Sequence, residues 1–146
     1  MAIIWAALAA FWIHPGFASS GGISWKSYEE GLSVAKKDSK KLLITFYADW
    51  CTYCKVMDRE TFNDAAIVSY INKNFVPVRV DSDKDRETAN EFKVRGLPDT
   101  WFMTKDQEVI GHRAGYIPAD TMIEVLKYIN TDSYKEMSFK NFMDSK

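Results

Sequence analysis

Ala48-Asp49-Trp50-Cys51-Thr52-Tyr53-Cys54-Lys55 follows directly on the apolar run Leu42 to Tyr47. A short, near-continuous run of that kind predicts a strand buried on both faces of a sheet. A helical stretch begins at about Cys51, so the cysteine pair falls where a buried strand ends and a helix opens. The first turn of a helix presents unpaired N–H groups and the positive end of the macrodipole, and both favour a thiolate over a thiol. The spacing therefore predicts a partly exposed Cys51 as nucleophile, with Cys54, one turn deeper, as the resolving thiol. The alternatives are a structural bridge and a metal site. A bridge across two intervening residues closes a tiny loop and adds little stability through loop entropy. A metal held by Cys51 and Cys54 needs further ligands, and His112 is the one histidine beyond the N-terminal segment.

Outward from this stretch the pattern alternates between helix and strand. Trp25, Tyr28, Leu32 and Ala35 recur at helical spacing and lead to Lys36-Lys37, basic residues suited to a helix C-terminus. The helix from Cys51 is interrupted near Asn63-Asp64 and resumes from Ala65 to about Asn72. Phe75 to Val80 predicts a second buried strand, and Arg86 to Phe92 a short helix. Thr100 to Thr104 and Glu108 to Ala114 flank Lys105-Asp106 as a hairpin. Ala119 to Asn130 closes the pattern as an amphipathic helix with Met122, Ile123, Leu126 and Ile129 on one face. This order predicts an α/β domain with a central mixed sheet flanked by helices. A polar tail, 131–146, follows, with Tyr134, Met137 and Phe142 available to dock.

Composition bounds the function. The chain has 146 residues, enough for one domain with a core; 47% are hydrophobic and 27% charged, an ordinary globular balance. Nineteen basic residues face twenty acidic ones, which supplies no electrostatic footprint for nucleic acid or an anionic membrane. Two cysteines exclude a multi-disulfide scaffold. Residues 1–25 contain no Asp, Glu, Lys or Arg, and Ala2 to Ile13 is uninterrupted apolar sequence, shorter than the ~20 residues that span a bilayer. His14-Pro15-Gly16 breaks the run and Ala18 offers a cleavage position, so residues 1–18 read as a secretory signal, although no Lys or Arg precedes the apolar core; an uncleaved anchor and an apolar first helix packed on the domain are the alternatives. Residues 19–146 then form the domain. Export would place the cysteines where disulfides persist, in the periplasm of a bacterium.

The stretch Thr45-Phe46-Tyr47-Ala48-Asp49-Trp50-Cys51-Thr52-Tyr53-Cys54-Lys55 resembles the thioredoxin superfamily, above all the C-terminal thioredoxin-like domain of the membrane disulfide reductase DsbD and small exported relatives. The resemblance continues through Thr61-Phe62-Asn63-Asp64, Val94-Arg95-Gly96-Leu97-Pro98 and Gly115 to the last amphipathic helix. It implies a thioredoxin fold with a short C-terminal extension. It also implies that Pro98 is a cis-proline beside the cysteines, that the backbone of Leu97 pairs with an incoming peptide as an added strand, and that Trp50 forms an apolar lip of the binding surface. Tyr53, bulky between the cysteines, and its neighbour Thr52 would shape partner choice.

Two positions depart from the thioredoxin pattern or modify it. Where thioredoxins carry a buried Asp six residues before the first cysteine, this chain has Thr45, which is no general base at neutral pH. DsbD-like relatives place an acid four residues after the second cysteine; here it is Asp58, on the same helix face as Cys54. Asp58 is either the proton acceptor for Cys54 or a surface carboxylate. Lys55 reads as a solvated lysine. Asp81, Asp83 and Asp85 alternate like a calcium loop, but Arg86 and Phe92 stand where such a loop needs Gly and Glu, so a solvated turn before a helix is expected. His112 reads as a surface histidine.

The expectation is an exported thiol–disulfide oxidoreductase that reduces protein disulfides, with no cofactor and no resident metal. Its partners would be protein disulfide clients and a membrane electron donor of the DsbD type, with no nucleic acid and a monomeric state. An oxidase or isomerase, or a Cu(I) carrier using the same cysteines, are the alternatives.

Overall fold

The computed structural model describes residues 21–146. The expected signal segment, 1–18, lies outside the described residues. Four strands form one sheet in the order β2-β1-β3-β4: β1 (Lys41–Tyr47), β2 (Phe75–Asp81), β3 (Asp99–Met103) and β4 (Val109–Ala114). β1 runs parallel to β2 and antiparallel to β3, and β3 and β4 form the expected hairpin. The sheet is mixed, as the alternation of elements predicts.

Helices α1 (Tyr28–Asp38), α2 (Thr52–Glu60), α3 (Ala65–Asn74), α4 (Arg86–Glu91) and α5 (Ala119–Asn130) cover both faces. The five central residues of β1 are all buried, and they alternate between two cores. Leu43 joins Met57, Ile67, Ile71, Phe102 and Leu126 on the side of α2, α3 and α5. Leu42, Ile44 and Phe46 join Ala35, Val78 and Phe92 on the side of α1 and α4. Gly31 lets α1 lie close on the sheet, because a Cβ there would stand 2.1 Å from Val78 Cγ2. Pro77 is tolerated in β2 because that strand is the last in the sheet's hydrogen-bonded order.

The start of α1 differs from the sequence expectation. α1 starts at Tyr28 rather than Trp25: the Ser27 hydroxyl accepts the Glu30 N–H as N-cap, and Lys26 instead bridges β2, its N–H donating to Pro77 O at 3.0 Å. Trp25 keeps its core role, packing edge-on against Phe62 at 5.0 Å. The break at Asn63-Asp64 falls where expected, and Asp64 caps α3 by accepting from Ala66 and Ile67 N–H.

The tail docks on the domain. A 3-10 turn (Ser133–Lys135) and a short helix, α6 (Phe139–Asp144), surround Tyr128 of α5, whose ring meets Tyr134, Phe139 and Phe142 and whose hydroxyl donates to Met137 O at 2.6 Å. Lys41 Nζ reaches Asp132 Oδ1 at 3.0 Å, tying the start of the tail to β1. That hydrogen bond holds the Asp132 carboxyl below its usual range.

Candidate functional site

β1 ends at Tyr47, the chain turns through Ala48, Asp49 and Trp50, and Cys51 becomes the N-cap of α2. Its Sγ takes the place of the usual side-chain oxygen, accepting the Cys54 N–H at 3.2 Å. The first turn of α2 contains no acidic residue. A sulfur here faces an N–H donor and the helix's positive end without a nearby carboxylate in that turn, which is the environment that favours a thiolate. Cys51 and Cys54 are joined in a disulfide.

Both cysteines are buried, at 4% and 3% exposure. Cys51 is therefore less open than its place at a helix start predicts. Ala48 is buried with the pair, and Tyr47 and Leu97 pack against it. Trp50 and Tyr53, at 68% and 64%, are the exposed aromatics that flank it, and Thr52 is exposed beside them.

Leu97-Pro98 is a cis peptide bond, and Pro98 is buried. Leu97 thus stands against the disulfide just before β3 begins. The loop after β4 secures this corner. Gly115, at φ +91°, donates its N–H to Pro98 O at 2.7 Å, and the fully buried Thr61 at the end of α2 donates its hydroxyl to Ile117 O at 2.6 Å. Tyr116 donates to Glu60 Oε2 at 2.8 Å. That bond, then Arg59, lowers the Glu60 carboxyl pKa, while Glu60 raises that of the Tyr116 phenol. The helix carrying Cys54 and the loop carrying Pro98 are held together through this segment.

Asp58 lies one turn beyond Cys54 on α2 and is partly buried. Its Oδ2 accepts from Arg79 Nη2 of β2 at 2.6 Å, and the Arg79 guanidinium covers the Tyr47 ring at 4.1 Å and the Trp25 ring at 5.7 Å. Thr45 is buried and lies opposite the fully buried Thr100 in the β1–β3 register. Lys55 is exposed, as expected.

Two residues of this region, Arg79 and Asp99, are not singled out by the sequence. Arg79 interrupts an apolar strand, and a charge in such a run was the available signal. Asp99, next to Pro98 and 3% exposed, pairs with His112 Nδ1 at 3.0 Å. The His112 ring, roughly half exposed, stacks on Trp101 at 4.1 Å. Asp83, one of the alternating aspartates, accepts from Trp50 Nε1 at 2.8 Å and fixes the indole. Its neighbours also serve protein donors: Asp81 Oδ1 accepts from the Asp83 and Lys84 N–H groups, and Asp85 caps α4 through Thr88 N–H. The stretch is a turn before a helix. Among the described residues no cluster of three or more His, Cys, Asp or Glu side chains is placed to hold a metal ion.

The profile of the thioredoxin-like domain family matches residues 28–130. A thioredoxin of Mycoplasmoides gallisepticum is 33% identical over 89 residues, covering 61% of this chain and 84% of that protein. The thiol:disulfide interchange protein DsbD of Vibrio vulnificus is 30% identical over 108 residues, covering 70% of this chain but 18% of that much longer protein. In architecture the chain is similar to a thioredoxin from Thermus thermophilus, with a TM-score of 0.69 at 22% identity, covering 75% of this chain and 88% of that one. With this match spanning every strand and the paired cysteines at the junction of β1 and α2, the chain belongs to the thioredoxin-like family of thiol–disulfide oxidoreductases.

Proposed function

We propose that the domain is an exported reductase of protein disulfides, re-reduced by a membrane electron donor of the DsbD type and acting as a monomer. The observation that carries the exchange chemistry is the Cys54 N–H aimed at Cys51 Sγ at the start of α2. In the reduced protein that donor and the helix's positive end hold Cys51 as a thiolate. The thiolate attacks one sulfur of a client disulfide, a Cys51–client bond forms, and the client's other sulfur leaves as a thiolate. Cys54, once deprotonated, attacks Cys51 Sγ and releases the second client thiolate. The client gains two electrons, and the Cys51–Cys54 pair becomes the disulfide.

Asp58 is the proposed acceptor of the Cys54 proton, placed one turn along the same helix and steadied by Arg79. A client segment pairs with the backbone of Leu97 as an added strand, between Trp50 on one side and Thr52 and Tyr53 on the other. The reductive direction rests on similarity to DsbD and on the absence of a histidine between the cysteines, which would stabilise the thiolate further and make the pair more oxidising. Export rests on the apolar, uncharged start of the chain.

Replacing Cys54 by Ser tests the mechanism. Incubated with insulin as a disulfide-bonded client, reduced Cys54→Ser should accumulate a conjugate that dithiothreitol releases, and Cys51→Ser should form none. A Cys54→Ser protein that forms no conjugate, or a Cys51→Ser protein that forms as much, would overturn it. A reporter enzyme active only outside the cytoplasm, fused after residue 20, tests export: activity supports it and inactivity removes it.

A further inference from the structure

Beside the disulfide, on the far side of Trp50 and Leu97, a groove is lined by Ser82, Asp83, Arg86 and Arg95 among others. Its two arginines are exposed. Among the described residues, Arg59 and Arg79 are in ion pairs with Glu60 and Asp58, whereas Arg86 and Arg95 are in none. The groove's one carboxylate, Asp83, accepts from the Trp50 indole and forms no ion pair with either arginine. The groove therefore presents two guanidinium groups in no ion pair, against one carboxylate, beside Leu97, which packs on the cysteine pair. Guanidinium groups favour planar, bidentate partners, and carboxylates match them.

We propose that this groove selects clients carrying an acidic residue beside the reactive cystine. The inference rests on the oxidoreductase reading above and adds a substrate class to it. A client strand paired with Leu97 runs on past Gly96 to Arg95, so that its side chains next to the cystine fall over the groove. A carboxylate there meets Arg95 and Arg86, while a lysine meets like charge. Exposed ion pairs are individually weak, so the selection is a modest one built from two contacts and a faster encounter.

Three synthetic peptides test this, each with one intramolecular disulfide and differing only in flanking residues: glutamate, lysine or a neutral residue. Oxidation of reduced protein by each is timed and divided by the corresponding rate with dithiothreitol, which removes the charges' own effect on the disulfide. The glutamate peptide should react about fivefold faster than the lysine peptide at low salt, as two weak surface ion pairs allow. The ratio should fall towards unity near ~1 M salt, where screening reaches ~3 Å. Charge reversal at both positions (R86E with R95E) should invert it, and Arg86→Gln or Arg95→Gln alone should lower it partway. Equal rates for the two charged peptides in the wild-type protein at low salt, or a preference indifferent to salt and to these substitutions, would overturn the groove's role. Failure to react even with the neutral peptide would instead overturn the oxidoreductase reading itself.

Discussion

Arg79 binds Asp58 at 2.6 Å, joining the middle of β2 to the helix that carries both cysteines. The same guanidinium lies over the Tyr47 ring at the end of β1. One cation thus braces the strand that leads into the Cys-X-X-Cys turn and the helix that leaves it.

Arg79→Met is expected to destabilise the domain by about 2 kcal/mol, because it removes a charge-assisted hydrogen bond and a cation–π contact at once. Asp58→Asn keeps the aromatic contact and should cost less. Urea unfolding of the two single variants and the double variant checks this; the double-mutant cycle should show coupling between the residues. Purely additive effects would mean the contact does not brace the site.

Gly115 holds φ at +91°, a conformation that an L side chain adopts only with strain. Gly115→Ala should therefore cost about 1–2 kcal/mol, even though nothing would crowd the new methyl group. Thr61→Val, which leaves Ile117 O without its buried donor, should cost about 1–3 kcal/mol. Both should also slow disulfide exchange, since this segment holds the Pro98 corner to α2. Loss of stability with exchange rates untouched would separate the brace from the chemistry.

The Tyr116–Glu60 pair predicts a pH dependence. Glu60 is held below its ordinary pKa, first by the Tyr116 hydroxyl and then by Arg59. The unfolded chain therefore binds more protons, and the stabilisation, present above the unfolded value of ~4.3, is lost as pH falls through the folded one. Tyr116 is raised, first by its bond to Glu60, so its share is full below the unfolded value of ~10 and is lost as pH rises beyond it. Thermal midpoints of wild-type and Tyr116→Phe proteins should differ most between about pH 5 and 9 and converge at both extremes. A difference constant across pH would contradict this.

The tail's aromatic cluster predicts a local effect. Phe139→Ala removes a ring 5.4 Å from Tyr128 and should lower stability by about 1 kcal/mol. Hydrogen exchange should rise in 133–144 while protection in β1 persists. Uniform loss of protection would show the tail to be integral to the core.

Much of this was legible in the sequence because it is local. The run from Leu42 to Tyr47 is buried on both faces because β1 is central, and α5 occupies Ala119–Asn130 because its apolar stripe meets one core. The start of the first helix is not legible, because Trp25 fits helical spacing whereas Ser27 is the cap and Lys26 pairs with a strand distant in sequence. The Asp58–Arg79 and Asp99–His112 contacts join residues 21 and 13 positions apart, and no periodicity encodes such pairs. The burial of Cys51 likewise depends on Leu97, brought in by the cis-proline loop.

The most direct test of the reductive role is the reduction potential of the Cys51–Cys54 pair, equilibrated against a defined glutathione or dithiothreitol buffer. A reductase predicts a value near the ~−270 mV of thioredoxin. A value near the ~−120 mV of DsbA would mean that the pair gives up its disulfide to clients, and would contradict the account.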